Sequence, residues 1–384
     1  MGFQVRANIE TFFKVLKIHH YLLILAILPV KDTFSWHAGC VCKSITFNGG
    51  AIFMADLLEY KQLDLFLIPI KDHIMKKYAR PFLKWAGGKG QLLEQFKIYF
   101  PDELNIIGEL DSYYEPFLGS GAVFFWVIQH CKISKAYINE FNPEIYTCYI
   151  SLQKDSPKVI AALQKLQNQY HLLSVDKQEE LYYKIRNKYN KSRAEINFKK
   201  YDGSAFSKRA ALTIFLNRTC FNGLYRVNSK GEFNVPFGRY LNPKICDKEN
   251  LLLVSNLLQK VVITNTDFAI VEKQIRNIDK KSFVYFDPPY RPLNQTSNFN
   301  SYSANVFDDK EQERLAMTFK RLNKIGVKMM LSNSDPKNID PNDNYFDKLY
   351  SEFKLIRLPA KRMINCQADK RGVINEILVT NYEK

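Results

Sequence analysis

Short apolar runs alternate with helically spaced apolar positions along most of this chain. The runs at 113–115, 136–139, 261–264, 283–286, 328–331, 354–358 and 373–380 are rich in aromatic and β-branched residues and predict strands. Residues 122–128 and 309–322 predict helices between them. Such alternation implies an α/β fold built on a doubly wound sheet. Between Leu152 and Leu258 the strand signal largely disappears, and helical patterns take over, clearest at 177–191 and 208–219. An inserted helical domain is therefore expected over 153–258, with the sheet domain formed by 75–152 and 259–384. Within the insert, 221–240 reads as a hairpin turning near Asn228-Ser229-Lys230-Gly231.

Residues 1–74 stand apart from this pattern. An apolar run over 21–30 follows Arg6, Lys14 and Lys17, the layout of a signal-peptide core. It is roughly half the length of a membrane-spanning helix, and no small-residue cleavage site follows it. Met75-Lys76-Lys77-Tyr78 reads as a natural start. The first 74 residues are expected to be a non-catalytic extension or a misplaced start, and the protein to be cytoplasmic with no membrane attachment.

Asp287-Pro288-Pro289-Tyr290 follows the apolar run 282–286 and sits where a buried strand would end. The prolines fix their own φ and remove two donors, leaving the Pro288 carbonyl and the Asp287 carboxylate as outward acceptors. Two acceptors suit an exocyclic NH₂ on a flat ring. Tyr290 adds a face for base stacking, worth about 1–3 kcal/mol. Paired prolines also simply end strands, so an ordinary strand-to-loop turn accounts for the same residues.

A second motif, Glu115-Pro116-Phe117-Leu118-Gly119-Ser120-Gly121, leads from the strand-like 113–115 into the apolar 122–128. Two glycines two apart let backbone approach a ligand closely. Glu140 ends the next strand, roughly 20 residues on, where α/β nucleotide sites set a carboxylate on ribose hydroxyls. A ribose-containing cofactor is expected. The turn lacks the third glycine of the dinucleotide fingerprint and the Lys-Ser/Thr of a P-loop, so the specific signal is its combination with D-P-P-Y.

Lys and Arg number 55 against 39 Asp and Glu, a net +16, and nearly all of the excess lies beyond residue 74. A lysine-rich solvated surface gives the same count. Aromatics interleaved with Arg and Lys over 199–240 favour nucleic acid. The seven cysteines include no C-x-x-C, only the near pair Cys40 and Cys42, and four of six histidines precede residue 74. Neither a metal centre nor a disulfide framework is expected.

Six ordered motifs make the chain, from about Met75 onward, resemble the DNA adenine methylase (Dam) family of N6-adenine methyltransferases. They are Phe82-Leu83-Lys84-Trp85-Ala86-Gly87-Gly88-Lys89, the E-P-F-L-G-S-G at 115–121, and Phe215-Leu216-Asn217-Arg218 through Asn222-Gly223-Leu224. Gly231-Glu232-Phe233-Asn234-Val235-Pro236-Phe237-Gly238-Arg239-Tyr240, the D-P-P-Y and Leu331-Ser332-Asn333-Ser334-Asp335 follow. Their order is that of the family's alpha arrangement. The resemblance implies an S-adenosylmethionine-dependent methyltransferase sheet whose insert recognises double-stranded DNA. GATC is the expected site, since relatives with this hairpin mostly read it, and a cognate restriction endonuclease belongs to some such systems.

The resemblance also assigns roles. Asp287, Pro288, Pro289 and Tyr290 would hold the flipped adenine. Trp85 and Lys89 would touch the cofactor, Lys89 at its carboxylate, while Glu115, Phe117, Gly119 and Gly121 line the turn beneath it and Asp287 closes the site. Glu140, where many relatives carry Asp, would hold the ribose. Asp267 and Phe268 would take the cofactor's adenine, although Asp267 also suits a helix N-cap before 269–275. Sequence reading would fall to Lys84, Phe221, Asn222, Leu224, Arg226, Pro236, Arg239 and Tyr240. Arg226 suits a guanine edge, where a bidentate contact discriminates by about 1–3 kcal/mol. Phe221 stands where several relatives place Tyr and can still wedge between base steps. Phosphate contacts from Arg226 and Arg239 would carry no specificity. A methyltransferase acting on RNA or another substrate, and a non-catalytic DNA-binding protein on the same fold, stay open; a methyl-transfer assay separates them.

Overall fold

The computed structural model describes residues 47–48, 51–52, 77–85, 87–275, 281–291, 307–361 and 373–383. The chain divides into two compact units, 1–77 and 78–384. In the first, Phe47–Asn48 pairs antiparallel with Ala51–Ile52, and the apolar run at 21–30 lies outside the described residues. The second unit carries all the motifs.

Its sheet has seven strands: β1 (Glu109–Glu115), β2 (Lys132–Asn139), β3 (Val261–Thr264), β4 (Ser282–Phe286), β5 (Lys328–Ser334), β6 (Lys354–Lys361) and β7 (Val373–Thr380). Their spatial order is β3-β2-β1-β4-β5-β7-β6. Only β7 runs antiparallel to its neighbours, inserted between β5 and β6. This is the order of the methyltransferase sheet expected from sequence. All five residues of β4 are buried, as a central parallel strand covered on both faces must be. Phe283 and Tyr285 join one apolar cluster and Val284 and Phe286 another, in keeping with the two-residue period of a strand. Full burial of each such apolar side chain contributes about 1.5–3 kcal/mol.

β1 and β2 begin earlier than their apolar runs. Lys132, Ser134 and Lys135 are exposed, so the apolar signal of β2 starts only at Ala136. Pairing with β1, from Glu109↔Lys132 onward, makes the polar half a strand.

The segment between β2 and β3 is helical: α3 (Pro143–His171), α4 (Val175–Lys191), α5 (Gly203–Thr219) and α6 (Lys248–Leu258) follow α1 (Leu93–Ile98) and α2 (Ala122–His130). α3 runs across the expected boundary at 152/153 and departs from helical geometry at Asp155. Pro157 lies just beyond, and its missing N–H and its ring explain the kink. One cluster joins the sheet residues Leu110, Tyr113 and Phe283 to Leu163, Tyr170, Phe215 and Phe237 of the insert, which therefore shares the sheet's core. Arg209 of α5 is buried and forks onto Glu144 at the start of α3, with contacts of 2.8 and 2.6 Å. α5 is capped by Asp202, which accepts from the N–H groups of Ser204 and Ala205, a contribution of about 1 kcal/mol.

The hairpin is irregular. Two isolated bridges, Cys220↔Phe237 and Val227↔Phe233, hold it. Its turn lies at the expected Asn228, whose carbonyl accepts from Gly231 N and whose side chain accepts from the N–H groups of Lys230 and Glu232. After β3 come α7 (Ile270–Gln274), α8 (Asp309–Lys324) and α9 (Tyr345–Leu349). Among the described residues no helix is long and apolar enough to cross a membrane.

Candidate active site and nucleic-acid interface

In an open α/β sheet, ligands bind outside the carboxyl ends of the strands where the strand order reverses. Here the reversal lies between β1, which is followed on one side by β2, and β4, which is followed on the other by β5. Both sequence motifs end at that crevice.

Gly119 and Gly121 take left-handed φ values of 51° and 71°. A Cβ on Gly119 would stand 3.1 Å from the Trp85 ring, so the turn and Trp85 pack directly together. Glu140, buried at the end of β2, accepts from Gly119 N and Asn142 N, both at 2.8 Å. Burial raises its carboxyl to about 7 against the pull of these two N–H groups. Each carboxylate oxygen keeps a lone pair for a hydroxyl donor. Glu115 lies beneath the turn, fully buried, and accepts from Tyr113 Oη at 2.5 Å. Burial pushes its carboxyl well above the ordinary range.

Phe117 meets Phe268 at 5.2 Å and Phe307 at 5.6 Å between ring centroids, which gathers aromatic faces next to the turn. Asp267 accepts from Ala269 N at 3.0 Å, the contact of a helix-start residue, and its carboxylate is also forked by Arg314 at 2.8 and 2.6 Å. The Arg314 guanidinium lies 4.0 Å from the centre of the Phe268 ring. Sequence reading passed over Arg314, because nothing in the helical pattern of α8 marks one arginine among its charged residues. A carboxylate, a glycine turn and facing aromatic rings fit a nucleoside-bearing cofactor.

Asp287 follows β4 and is the centre of a buried polar group. Lys89 Nζ lies 2.7 Å from Asp287 Oδ1, and donates to Tyr290 Oη at 2.8 Å and to the Gly87 carbonyl at 2.9 Å. Ser332 Oγ donates to the same Oδ1 at 3.1 Å, so among the described residues Oδ2 remains the open acceptor. Tyr290 Oη donates to Glu376 of β7 at 2.7 Å. Lys89, expected at the cofactor's carboxylate, thus lies on the D-P-P-Y motif. Burial alone would depress it, but Asp287, Tyr290 and Glu376 together hold the ammonium above the usual lysine range. Glu376 was missed in the sequence, where it reads as one polar position of a strand.

The first and third motifs lock together. Asn217 accepts from Lys84 N and donates to the carbonyls of Lys84 and Gly223, all within 2.8–2.9 Å. Arg218 donates to the Phe82 carbonyl at 2.7 Å. Lys84 Nζ rests 4.6 Å over the Tyr240 ring, and Phe221 N bonds the Pro236 carbonyl at 2.9 Å. Phe221 and Asn222 are exposed, Leu224 half-buried, and Asn222 adopts a left-handed φ of 53°. These residues form one surface. Arg226 lies further along the hairpin, exposed, its Nε on the Asn234 side chain at 2.8 Å. Arg239 turns away to Glu179 of α4. Lys84, Arg218, Tyr240 and Lys244 line an adjoining open cavity of about 360 Å³.

Sheet order, glycine turn and acidic strand end define a methyltransferase of the nucleotide-binding α/β class. The model of the D12 class N6 adenine-specific DNA methyltransferases matches residues 85–364. The chain is 47% identical over 305 residues to the type II methyltransferase M.MjaIII of Methanocaldococcus jannaschii, covering 79% of this chain and 99% of that protein. It is 39% identical over 305 residues to M1.LlaDCHI, a type II methyltransferase of Lactococcus lactis subsp. cremoris, with 79% and 95% covered. It is 30% identical over 304 residues to the DNA adenine methylase of Escherichia coli K12, again with 79% and 95% covered. The chain belongs to the D12 class N6 adenine-specific DNA methyltransferase family and is a DNA adenine methyltransferase.

Proposed function

We propose that this enzyme transfers the methyl group of S-adenosylmethionine to N6 of an adenine flipped out of double-stranded DNA, within GATC. The observation that carries the reading is Asp287, held at the carboxyl end of β4 with one carboxylate oxygen open among the described residues, in the same crevice as the glycine turn. Trp85, Phe117, Gly119, Gly121, Glu140, Asp267 and Phe268 would hold the cofactor. When bound, it supplies an electrophilic methyl group.

The adenine amine is a poor nucleophile because its lone pair is delocalised into the ring. Asp287 Oδ2 and the Pro288 carbonyl accept its two N–H bonds and so favour localisation of that pair. They bind the nitrogen more strongly as it becomes positive, which is differential stabilisation of the transition state. Lys89 pulls the Asp287 carboxyl down against the upward push of burial and orients it through Oδ1. Tyr290 gives the flipped ring a stacking face, because the amine is out of reach inside the duplex. Phe221 is exposed where it would fill the gap left in the stack.

Residues 153–258 serve target recognition, and 1–74 take no part in the chemistry. Two relatives are named type II methyltransferases, which supports a restriction–modification setting with an endonuclease of the same site and no stable complex. A substrate of this kind also supports a cytoplasmic location. The test incubates unmethylated DNA with labelled S-adenosylmethionine and then digests it with endonucleases of opposite sensitivity to GATC methylation. Label with an unchanged digestion pattern would reject GATC, and absence of label would reject the activity.

A further inference from the structure

Glu376 pairs across the sheet with Ser334 and is 8% exposed. Its Oε1 accepts from Tyr290, while among the described residues Oε2 has no hydrogen bond and lies 3.8 Å from Lys89 Nζ. The contacts Asp287–Lys89, Lys89–Tyr290 and Tyr290–Glu376 form an unbroken chain of 2.7, 2.8 and 2.7 Å. One ammonium and two carboxylates leave this chain, buried at Lys89 and Glu376, with one net negative charge. Low-dielectric surroundings disfavour that charge and so favour uptake of a proton. Methylation of an amine releases one.

We propose, resting on the function above, that Glu376 receives the proton lost from adenine N6, through Tyr290 and Lys89. As the bond from N6 to the methyl carbon forms, the methyl–sulfur bond of the donor breaks with its electron pair left on sulfur, one N6–H bond breaks with its pair left on nitrogen, and the proton passes to Asp287 Oδ2. Lys89 then gives a proton to the Tyr290 oxygen as the Tyr290 hydroxyl proton moves to Glu376, and the Asp287 carboxyl turns about its Cβ–Cγ bond to bring its proton to Lys89, which lies on Oδ1 in the starting state. Asp287, Lys89 and Tyr290 recover their starting charges, and Glu376 alone ends protonated. Burial raises the Glu376 carboxyl above its ordinary range, against the pull of Lys89 and the Tyr290 hydrogen bond, the direction a proton acceptor requires. Among the described residues, the charged and titratable groups facing it are Lys89, Tyr290 and Asp287. Glu376 acts only through these groups and is a positioning residue rather than a catalytic one.

The test measures single-turnover methylation of an unmethylated GATC duplex by the full chain, Glu376→Gln and Glu376→Asp across a pH series. Affinities for duplex and for S-adenosylmethionine are measured separately by calorimetry. Glutamine still accepts from Tyr290 but takes no proton, so the rate should fall about 10²-fold near neutrality and recover as pH rises, with both affinities unchanged. Aspartate should keep the wild-type pH profile. A glutamine variant with the wild-type rate at every pH overturns the relay, and so does an equal loss at every pH in both variants. If the glutamine variant does not fold, Tyr290→Phe interrupts the same chain and should show the same pH-dependent loss; a wild-type profile there overturns the proposal. Methylation by the wild type with an indifferent glutamine variant rejects the relay alone, whereas no methylation by the wild type rejects the function.

Discussion

The pocket around Asp287 and the surface of the hairpin treat charge in opposite ways. In the pocket, Lys89 and Glu376 are withdrawn from solvent, Asp287 is half-buried, and the three are engaged with one another. On the hairpin and beside it, Arg226, Arg239 and Lys84 are exposed and rest on Asn234, Glu179 and the Tyr240 ring. Buried ionic groups persist only when geometry satisfies them, and once satisfied they are rigid. Exposed pairs contribute about 0–1 kcal/mol and exchange easily for a better partner. The proposed chemical site is thus preorganised, while the surface proposed to read DNA carries placeholder contacts that phosphates and base edges would replace.

The buried pair of Arg209 in α5 and Glu144 at the start of α3 ties the insert to the segment after β2, and breaking it should have the largest effect. Glu144→Ala leaves the buried Arg209 without its carboxylate and should cost about 3–5 kcal/mol of stability. Denaturant titration measures this, and a loss near that of a surface pair would show that Arg209 finds another partner. Next in size is Asp287→Asn, expected to lower the methylation rate about 10²–10³-fold, or 2.7–4 kcal/mol, with DNA affinity retained. A rate close to wild type in quench-flow assays would remove Asp287 from the chemistry.

The contrast also explains what the sequence disclosed. β4, D-P-P-Y and the glycine turn are contiguous, and each has a local cause in burial, proline geometry or left-handed φ, so each was readable. The partners that complete the pocket are not local: Lys89, in the turn before α1, reaches Asp287 far along the chain, and Glu376 reaches Tyr290 because the strand order sets β5 alone between β4 and β7. Lys89 was expected at the cofactor's carboxylate from the resemblance, and its contact with Asp287 could not be read from its own segment. α3 was not singled out as one long helix because Pro157 interrupts its pattern, and the hairpin was legible through its turn residues although its strands are reduced to two bridges.

Arg226 tests the reading side of the comparison. If its guanidinium leaves Asn234 for a guanine edge, Arg226→Ala should cost about 1–3 kcal/mol on the cognate site and relax preference at one base pair. A phosphate contact would instead weaken cognate and altered duplexes equally and reduce the salt slope by about one. Binding and initial rates on GATC and singly changed duplexes, at several salt concentrations, distinguish them. Uniform loss would sink the base-reading role and leave the pocket untouched.

The smallest expected effect is a pH dependence that belongs to the pocket alone. Glu140 has its folded carboxyl raised to about 7 by burial, from an ordinary 4.5. The folded state therefore holds this proton more tightly than the unfolded chain, and the group's contribution to stability is lost as pH rises through that window. Ribose hydroxyls donating to Glu140 require lone pairs of the ionised form, so cofactor binding should expel the proton. Affinity for S-adenosylmethionine should weaken by up to about tenfold per pH unit below neutrality and level off above it. Burial also raises Asp287 and Glu376, so the assignment needs Glu140→Gln, in which the slope should flatten while affinity near neutrality falls. Calorimetry across the pH range decides it: the same slope in the glutamine variant would move the titration to the Asp287 chain, and no slope in the wild type would take the ribose away from Glu140. DNA affinity measured in parallel should show none of this dependence, because the residues proposed to read DNA are Lys84 and those of the hairpin, not the buried carboxylate of Glu140.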